Sequence, residues 1–120
     1  MSDSALDGDR LLTMLSALAN PHRLRVVAAL TTGGRTYVSQ LARELGISRP
    51  LLHLHLQRLQ DAGLVTSRLE LSADGKALNF FEVTDFALNL TAAVITEAAT
   101  SLTVKPPVTD QSTATDQSTA

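Results

Sequence analysis

Between residues 48 and 58 the chain reads Ser-Arg-Pro-Leu-Leu-His-Leu-His-Leu-Gln-Arg. Ser48, Arg49, His53, Gln57 and Arg58 are hydrogen-bonding side chains gathered in little more than ten residues. Their chemistry is that of base and phosphate recognition. A guanidinium at the start of a helix, as Arg49 would be, can grip the O6 and N7 of guanine as a bidentate pair. Arg68 and Lys76, further along, suit phosphate oxygens or the minor groove. Pro50, Leu51 and Leu54 stand among the polar donors. The leucines read either as contacts to thymine methyls or as extra packing. Nothing here resembles a reaction centre, because no glycine-rich phosphate loop, nucleophile motif or paired carboxylates are visible.

The elements that would carry these residues follow from the flanking sequence. Val38 to Leu45 predicts a short helix with Leu41, Ala42 and Leu45 on one face. Gly46 ends it, Ile47 plugs the turn, Ser48 offers an N-cap hydroxyl, and Pro50 sits in the first turn, where a missing N–H costs nothing. The next helix buries Leu52, Leu56 and Leu59 at i, i+4, i+7 and stops at Ala62-Gly63. Helix, glycine turn and capped second helix make a helix-turn-helix, a unit that reads the major groove. From Leu64 to Val83 the pattern becomes strand, broken at Ser72-Ala73-Asp74-Gly75-Lys76. Asp-Gly is a strong hairpin signal. A hairpin directly after the recognition helix makes a wing, with Lys76 at its tip and Arg68 partway along. Thr36-Tyr37 predicts a short strand pairing with it.

The net charge of −2 opposes nucleic acid, but its distribution does not. Residues 21–76 carry seven Arg and one Lys against four acids, net +4, while residues 77–120 are net −4. The basic charge thus lies on the segment that would face DNA. Scattered arginines as an ordinary solvated surface are the bland reading, and the motif beneath them outweighs it. A chain of 120 residues holds one small domain, and with aromatics at 3% its core must be mostly Leu, Ala and Val. The absence of cysteine removes disulfide, zinc-thiolate and cysteine-nucleophile readings. No apolar run approaches a membrane span or signal h-region, so a cytoplasmic protein is expected.

The remaining segments read as helices. Residues 9–19 carry Leu11, Leu12, Leu15 and Leu18; the helix opened by Pro21 turns Leu24, Val27 and Ala28 inward; Thr84 caps a last helix bearing Phe86, Leu90, Ala93, Val94 and Ala98. So apolar a terminal helix has no use for its surface in a small monomer. It is expected to pair with the first helix against a second copy. The dimer interface is therefore placed at Leu11, Leu12, Leu15, Leu18, Phe86, Leu90, Ala93 and Val94. The fold class is mainly α with a small β-hairpin wing: a winged helix-turn-helix of five helices, dimeric. Residues 1–8 are expected to be a flexible N-terminus, 9–102 the DNA-binding and dimerisation domain, and 103–120 a disordered tail in which TDQSTA occurs twice.

Ala19-Asn20-Pro21-His22-Arg23-Leu24-Arg25, Gln40-Leu41-Ala42, Gly46-Ile47-Ser48-Arg49-Pro50, His53-Leu54-His55-Leu56 and Leu59-Gln60-Asp61-Ala62-Gly63-Leu64-Val65 together resemble the ArsR/SmtB family of bacterial winged-helix repressors. The resemblance runs from about residue 10 to 100, and residues 40–65 are its most specific part. It implies a homodimeric regulator binding an operator in double-stranded DNA, with the first and last helices making the dimer. Leu51 and Leu54 depart from it, since the family commonly has polar residues there. Its metal sites are incomplete here. Tyr37 and Ser39 replace the Cys-x-Cys pair, and of the four ligands on the last helix only Asp85 is present, beside Ala87, Ala98 and Ser101. No metal and no cofactor are therefore assigned.

His22 reads as a surface or capping residue. His53 and His55 lie about 200° apart around one helix and cannot share an ion. His55 is expected between the helices, His53 toward the groove. A site built from His22 and N-terminal acids across a dimer is the surviving metal reading. The alternative class is a winged helix that docks on a partner regulatory protein, with Leu51 and Leu54 as its anchors.

Overall fold

The computed structural model describes residues 7–103. The expectations for residues 1–6 and for the TDQSTA repeat lie outside the described residues. Helix α1 (Gly8–Leu18) begins at a carboxylate cap, with Asp7 Oδ1 accepting from the Arg10 N–H at 2.7 Å. Asn20 caps α2 (Pro21–Gly33) by accepting from the His22 and Arg23 N–H groups at 2.8 and 3.2 Å. After β1 (Thr36–Tyr37), α3 (Val38–Leu45) ends at Gly46, whose φ of 69° is the left-handed conformation a Cβ would oppose. This turn lets the Ile47 N–H return to the Ala42 carbonyl at 3.2 Å. Two residues later Ser48 Oγ accepts from the Leu51 N–H and starts α4 (Arg49–Asp61).

The strands β2 (Val65–Leu71) and β3 (Ala77–Val83) form the wing, closed at Ser72–Lys76 as the Asp-Gly signal predicts. They pair antiparallel, with Val65 opposite Val83 and Leu71 opposite Ala77. Strand β1 adds to the other edge of β3, giving the order β1-β3-β2. The core lies between the sheet and the helices. Val26, Leu30, Leu41, Leu52, Leu56, Leu59, Leu64, Val65 and Phe81 are its centre.

Two expectations are corrected. On α2 the inward residues are Val26 and Leu30, while Ala28 is exposed and Leu24 is 54% exposed; Val27 is half-buried as expected. The helix is rotated because Arg23, not Leu24, turns inward. Its Nε donates to the Ala17 carbonyl at 2.5 Å and Nη2 to the Ser16 carbonyl at 3.4 Å, closing the C-terminus of α1. An apolar count cannot see a stripe that begins with arginine.

The second correction concerns the last helix. Thr84 caps nothing: its N–H donates to the Leu64 carbonyl and its hydroxyl to the Gly63 carbonyl, at 3.0 and 2.9 Å. Residues 85–90 are irregular and alternate, with Phe86 and Leu88 packed on the core while Asp85, Ala87 and Asn89 face outward. In a helix Phe86 and Leu88 would diverge by about 200°, so only extended chain brings both to the core. Helix α5 (Ala92–Ala99) starts later, at Thr91, whose hydroxyl accepts from the Val94 N–H at 3.0 Å.

Candidate nucleic-acid interface

Helix α4 buries Leu52, His55, Leu56 and Leu59 and leaves Arg49, Pro50, Leu51, His53, Leu54, Gln57 and Arg58 exposed. At about 100° per residue, the crest opposite the buried stripe runs Pro50–Leu54–Gln57–Asp61. Arg49 and His53 lie on one flank, Leu51 and Arg58 on the other. Leu54, at 65% exposure, is therefore more central than Arg49 or His53. Gln57 Nε2 donates to Asp61 Oδ1 at 3.0 Å, which occupies the one carboxylate of the helix. None of Arg49, His53, Arg58, Arg68 or Lys76 is paired with an acid among the described residues.

The underside of α4 is held by a polar cluster that sequence reasoning located only in part. His55 is 7% exposed, as expected of a residue between helices. Arg23 Nη1 lies 3.3 Å from its Nδ1, and the His22 ring stacks on it at 5.4 Å between centroids. Since a guanidinium can only donate, Nδ1 accepts and Nε2 carries the proton. Nε2 meets no acceptor among the described residues. Burial, then the charges of Arg23 and His22, hold the His55 pKa below its ordinary value and keep the ring neutral. Arg23 thus joins the end of α1 to the inner face of α4. Its signal in the sequence was its place one helical turn before Val26 and Val27.

The wing splits the remaining candidates. Side chains alternate across the sheet, so Val65, Ser67, Leu69 and Leu71 share the core-side face of β2 and Thr66, Arg68 and Glu70 the outer one. Arg68 stands opposite Phe80 on that outer face. Beside it Arg35 pairs bidentately with Glu70 at 2.9 and 3.1 Å, its guanidinium 4.4 Å from the Phe80 ring centre. Lys76 is exposed at the tip. The turn itself is tied by Asp74, whose carboxyl is held below the usual range by the Ser72 hydroxyl and then by the Lys76 N–H. Toward α4, Gln60 Nε2 donates to Ser67 Oγ at 3.0 Å. Leu69 and Leu71, further out on that face, are exposed.

A second surface lies between α1 and α5. A groove of about 170 Å³ is floored by Gly8, Leu11 and Ala98 and rimmed by Leu12, Leu15, Ile95, Ala99 and Leu102. Leu12 and Ile95 are 49% and 47% exposed. The start of α1 is fastened here to the segment after α5: the Gly8 N–H donates to Ser101 Oγ at 2.8 Å, and Thr103 donates to the Asp9 carboxylate. Gly8 permits the contact, since a Cβ there would sit 2.2 Å from the Ala98 carbonyl oxygen. Of the expected interface residues, Leu11, Leu12 and Leu15 belong to this groove. Ala93 is exposed and Val94 half-buried on α5, Leu90 is exposed ahead of it, and Leu18 and Phe86 pack on the protein's own core.

Among the described residues no three His, Asp or Glu side chains converge as a metal site would require. Within one copy His22, in the first turn of α2, and Asp9, in the first turn of α1, are separated by the length of α1, whose 11 residues span about 16 Å. No described helix is long and apolar enough to cross a membrane.

Residues 18–68 match a family model described as a helix-turn-helix domain. The chain is 32% identical over 85 residues to an uncharacterized helix-turn-helix-type transcriptional regulator of Methanocaldococcus jannaschii, covering 71% of this chain and 87% of that protein. It is 35% identical over 72 residues to a probable mercury resistance operon repressor of Streptomyces lividans, covering 60% of this chain and 54% of the repressor. Among solved structures, a homodimeric winged helix-turn-helix DNA-binding domain of Mycobacterium bovis, described as from a possible ArsR-family regulator, superposes with a TM-score of 0.56. It is 27% identical, over 62% of this chain and 64% of that one. NolR of Sinorhizobium fredii superposes at 0.54 with 25% identity, over 77% of this chain and 80% of that one. With its order of helices, its glycine turn and its three-stranded wing, this chain belongs to the helix-turn-helix-type transcriptional regulators and shares the winged fold of the Mycobacterium bovis domain.

Proposed function

We propose that the protein regulates transcription by binding an inverted-repeat operator as a homodimer, with α4 of each copy in the major groove and the wing over the flanking backbone. The observation that carries this reading is α4 itself. It is capped, it is anchored from beneath by Arg23, and it presents Arg49, His53, Gln57 and Arg58 to solvent with no acid among the described residues paired to the cations. The exposed apolar groove of α1 and α5 supports a two-fold partner, as does the homodimeric state of the Mycobacterium bovis relative. Two recognition helices would then sit about one helical turn apart, roughly 34 Å. The incomplete family ligand sets favour an effector other than a bound metal.

The test is fluorescence anisotropy against a selected operator and a scrambled duplex at several salt concentrations. Arg49→Ala should cost about 1–3 kcal/mol and relax preference at one base pair per half-site. Lys76→Ala should weaken binding to both duplexes and lower the salt slope by about one unit for each phosphate left unneutralised. Wild-type behaviour of both variants on both duplexes removes the DNA reading. In that case the exposed Leu51 and Leu54 favour the second reading, docking on a partner regulatory protein, whose binding would depend little on salt.

A further inference from the structure

We infer that Leu54, flanked by Leu51, is a specificity-determining residue that reads the C5-methyl group of thymine in each operator half-site. The inference rests on the DNA reading above and names what α4 selects. Leu54 is 65% exposed and so is not consumed by packing within the chain, while Leu51 beside it keeps 38% of its surface exposed. The crest places Leu54 between Pro50 and Gln57, on the face of α4 turned away from the core. A leucine exposed there gains none of the burial free energy a core leucine gains in the free monomer.

The surroundings say what covers it. The crest is flanked by Arg49 and His53 on one side and Arg58 on the other, and the single acid of the helix, Asp61, lies at its far end and accepts from Gln57. A positively bordered apolar knob is complementary to a polyanion that displays an apolar spot. On the floor of the major groove the thymine methyl is such a spot, and it has no counterpart on the other bases. A protein partner fits less well. Leu51, Leu54 and Pro50 form a patch of three side chains, whereas a stable protein interface buries on the order of 1,200 Å² or more. Leu51 and Leu54 are about 4.5 Å apart along the helix axis, a little more than the 3.4 Å step between base pairs. A thymine under Leu54 with a second at the neighbouring step therefore satisfies both.

The experiment begins by selecting bound duplexes from a random library with the full chain. Each selected thymine is then replaced singly by deoxyuridine, which removes the methyl and leaves every hydrogen-bonding group in place. Anisotropy is measured for wild type, Leu54→Ala and Leu54→Met. Burying one methyl corresponds to about a fourfold change in affinity, and about fifteenfold when both half-sites are changed. Wild type should lose that factor at one or two thymines per half-site. Leu54→Ala should bind thymine and uracil duplexes alike, and Leu54→Met, of similar volume, should keep the discrimination. Because Leu54 lies outside the core, circular dichroism of both variants should match wild type. Equal binding of thymine and uracil duplexes by wild type at every position overturns the inference and leaves the DNA reading standing. Full discrimination retained by Leu54→Ala overturns the assignment to Leu54. Failure of the wild type to bind any duplex overturns the DNA reading and this inference together, and turns attention to the protein-partner alternative.

Discussion

Ile95→Glu tests the assembly most directly. Ile95 is 47% exposed on the rim of the α1–α5 groove, so about half of its surface is left for a partner. Fully burying an isoleucine is worth roughly 1.5–3 kcal/mol, and half of that is about 1 kcal/mol. A two-fold interface uses each residue twice, so Ile95→Ala should weaken the dimer by about 2 kcal/mol, roughly thirtyfold in Kd. Glutamate adds an unpaired charge in each half of an apolar contact, on the scale of about 3–5 kcal/mol for a broken buried site. The variant should therefore be monomeric at micromolar concentration. Within one copy the change is mild, because the side chain already touches water, so the circular dichroism spectrum should be retained. Sedimentation velocity on wild type, Ile95→Ala and Ile95→Glu reads the three states. A monomeric wild type at tens of micromolar, or an Ile95→Glu dimer as tight as wild type, would refute the placement of the interface on this groove.

Gly8→Ala should cost about 1–3 kcal/mol of stability, because the added methyl meets the Ala98 carbonyl and Leu102 and forces α1 and α5 apart; urea unfolding measures this. Acid should destabilise the protein through His55. Its folded pKa lies below the ordinary value of 6.5, so as pH falls through about 6.5 the unfolded chain takes up a proton that the folded one resists. That stability is intact above the window, is lost on the way down to the folded pKa, and is constant below it. Urea unfolding between pH 5 and 8 should show this fall in wild type and not in His55→Gln, and identical profiles would remove His55 as the cause. Adding Zn²⁺, Ni²⁺ or Co²⁺ should change operator affinity less than about tenfold, since the family ligand positions hold Tyr37, Ser39, Ala87, Ala98 and Ser101. A tight stoichiometric site with a large change in operator affinity would contradict it and point first to His22.

The sequence by itself determined the helix-turn-helix and the wing, because each is written in local chemistry. Ser48, Pro50 and Gly46 act on backbone groups within a few residues of themselves, and Asp74-Gly75 closes a turn between strands only five residues apart. The inward stripe of α4 was equally legible, since Leu52, Leu56 and Leu59 repeat with the helix. Only the tertiary structure decided which way α2 faces, where α5 begins and what the crest of α4 presents. Arg23 faces inward because the carbonyls ending α1 and the ring of His55 are there to receive it, and those partners lie 6, 7 and 32 residues away in sequence. Phe86 and Leu88 lie on extended chain because the core they fill is assembled by distant elements, although in sequence Phe86 with Leu90, Ala93 and Val94 mimics a helical stripe. Leu54 is a leucine like Leu52, and hydropathy treats them alike. The packing of α4 against α2, α3 and the sheet buries one completely and leaves the other 65% exposed on the outer face of the same helix.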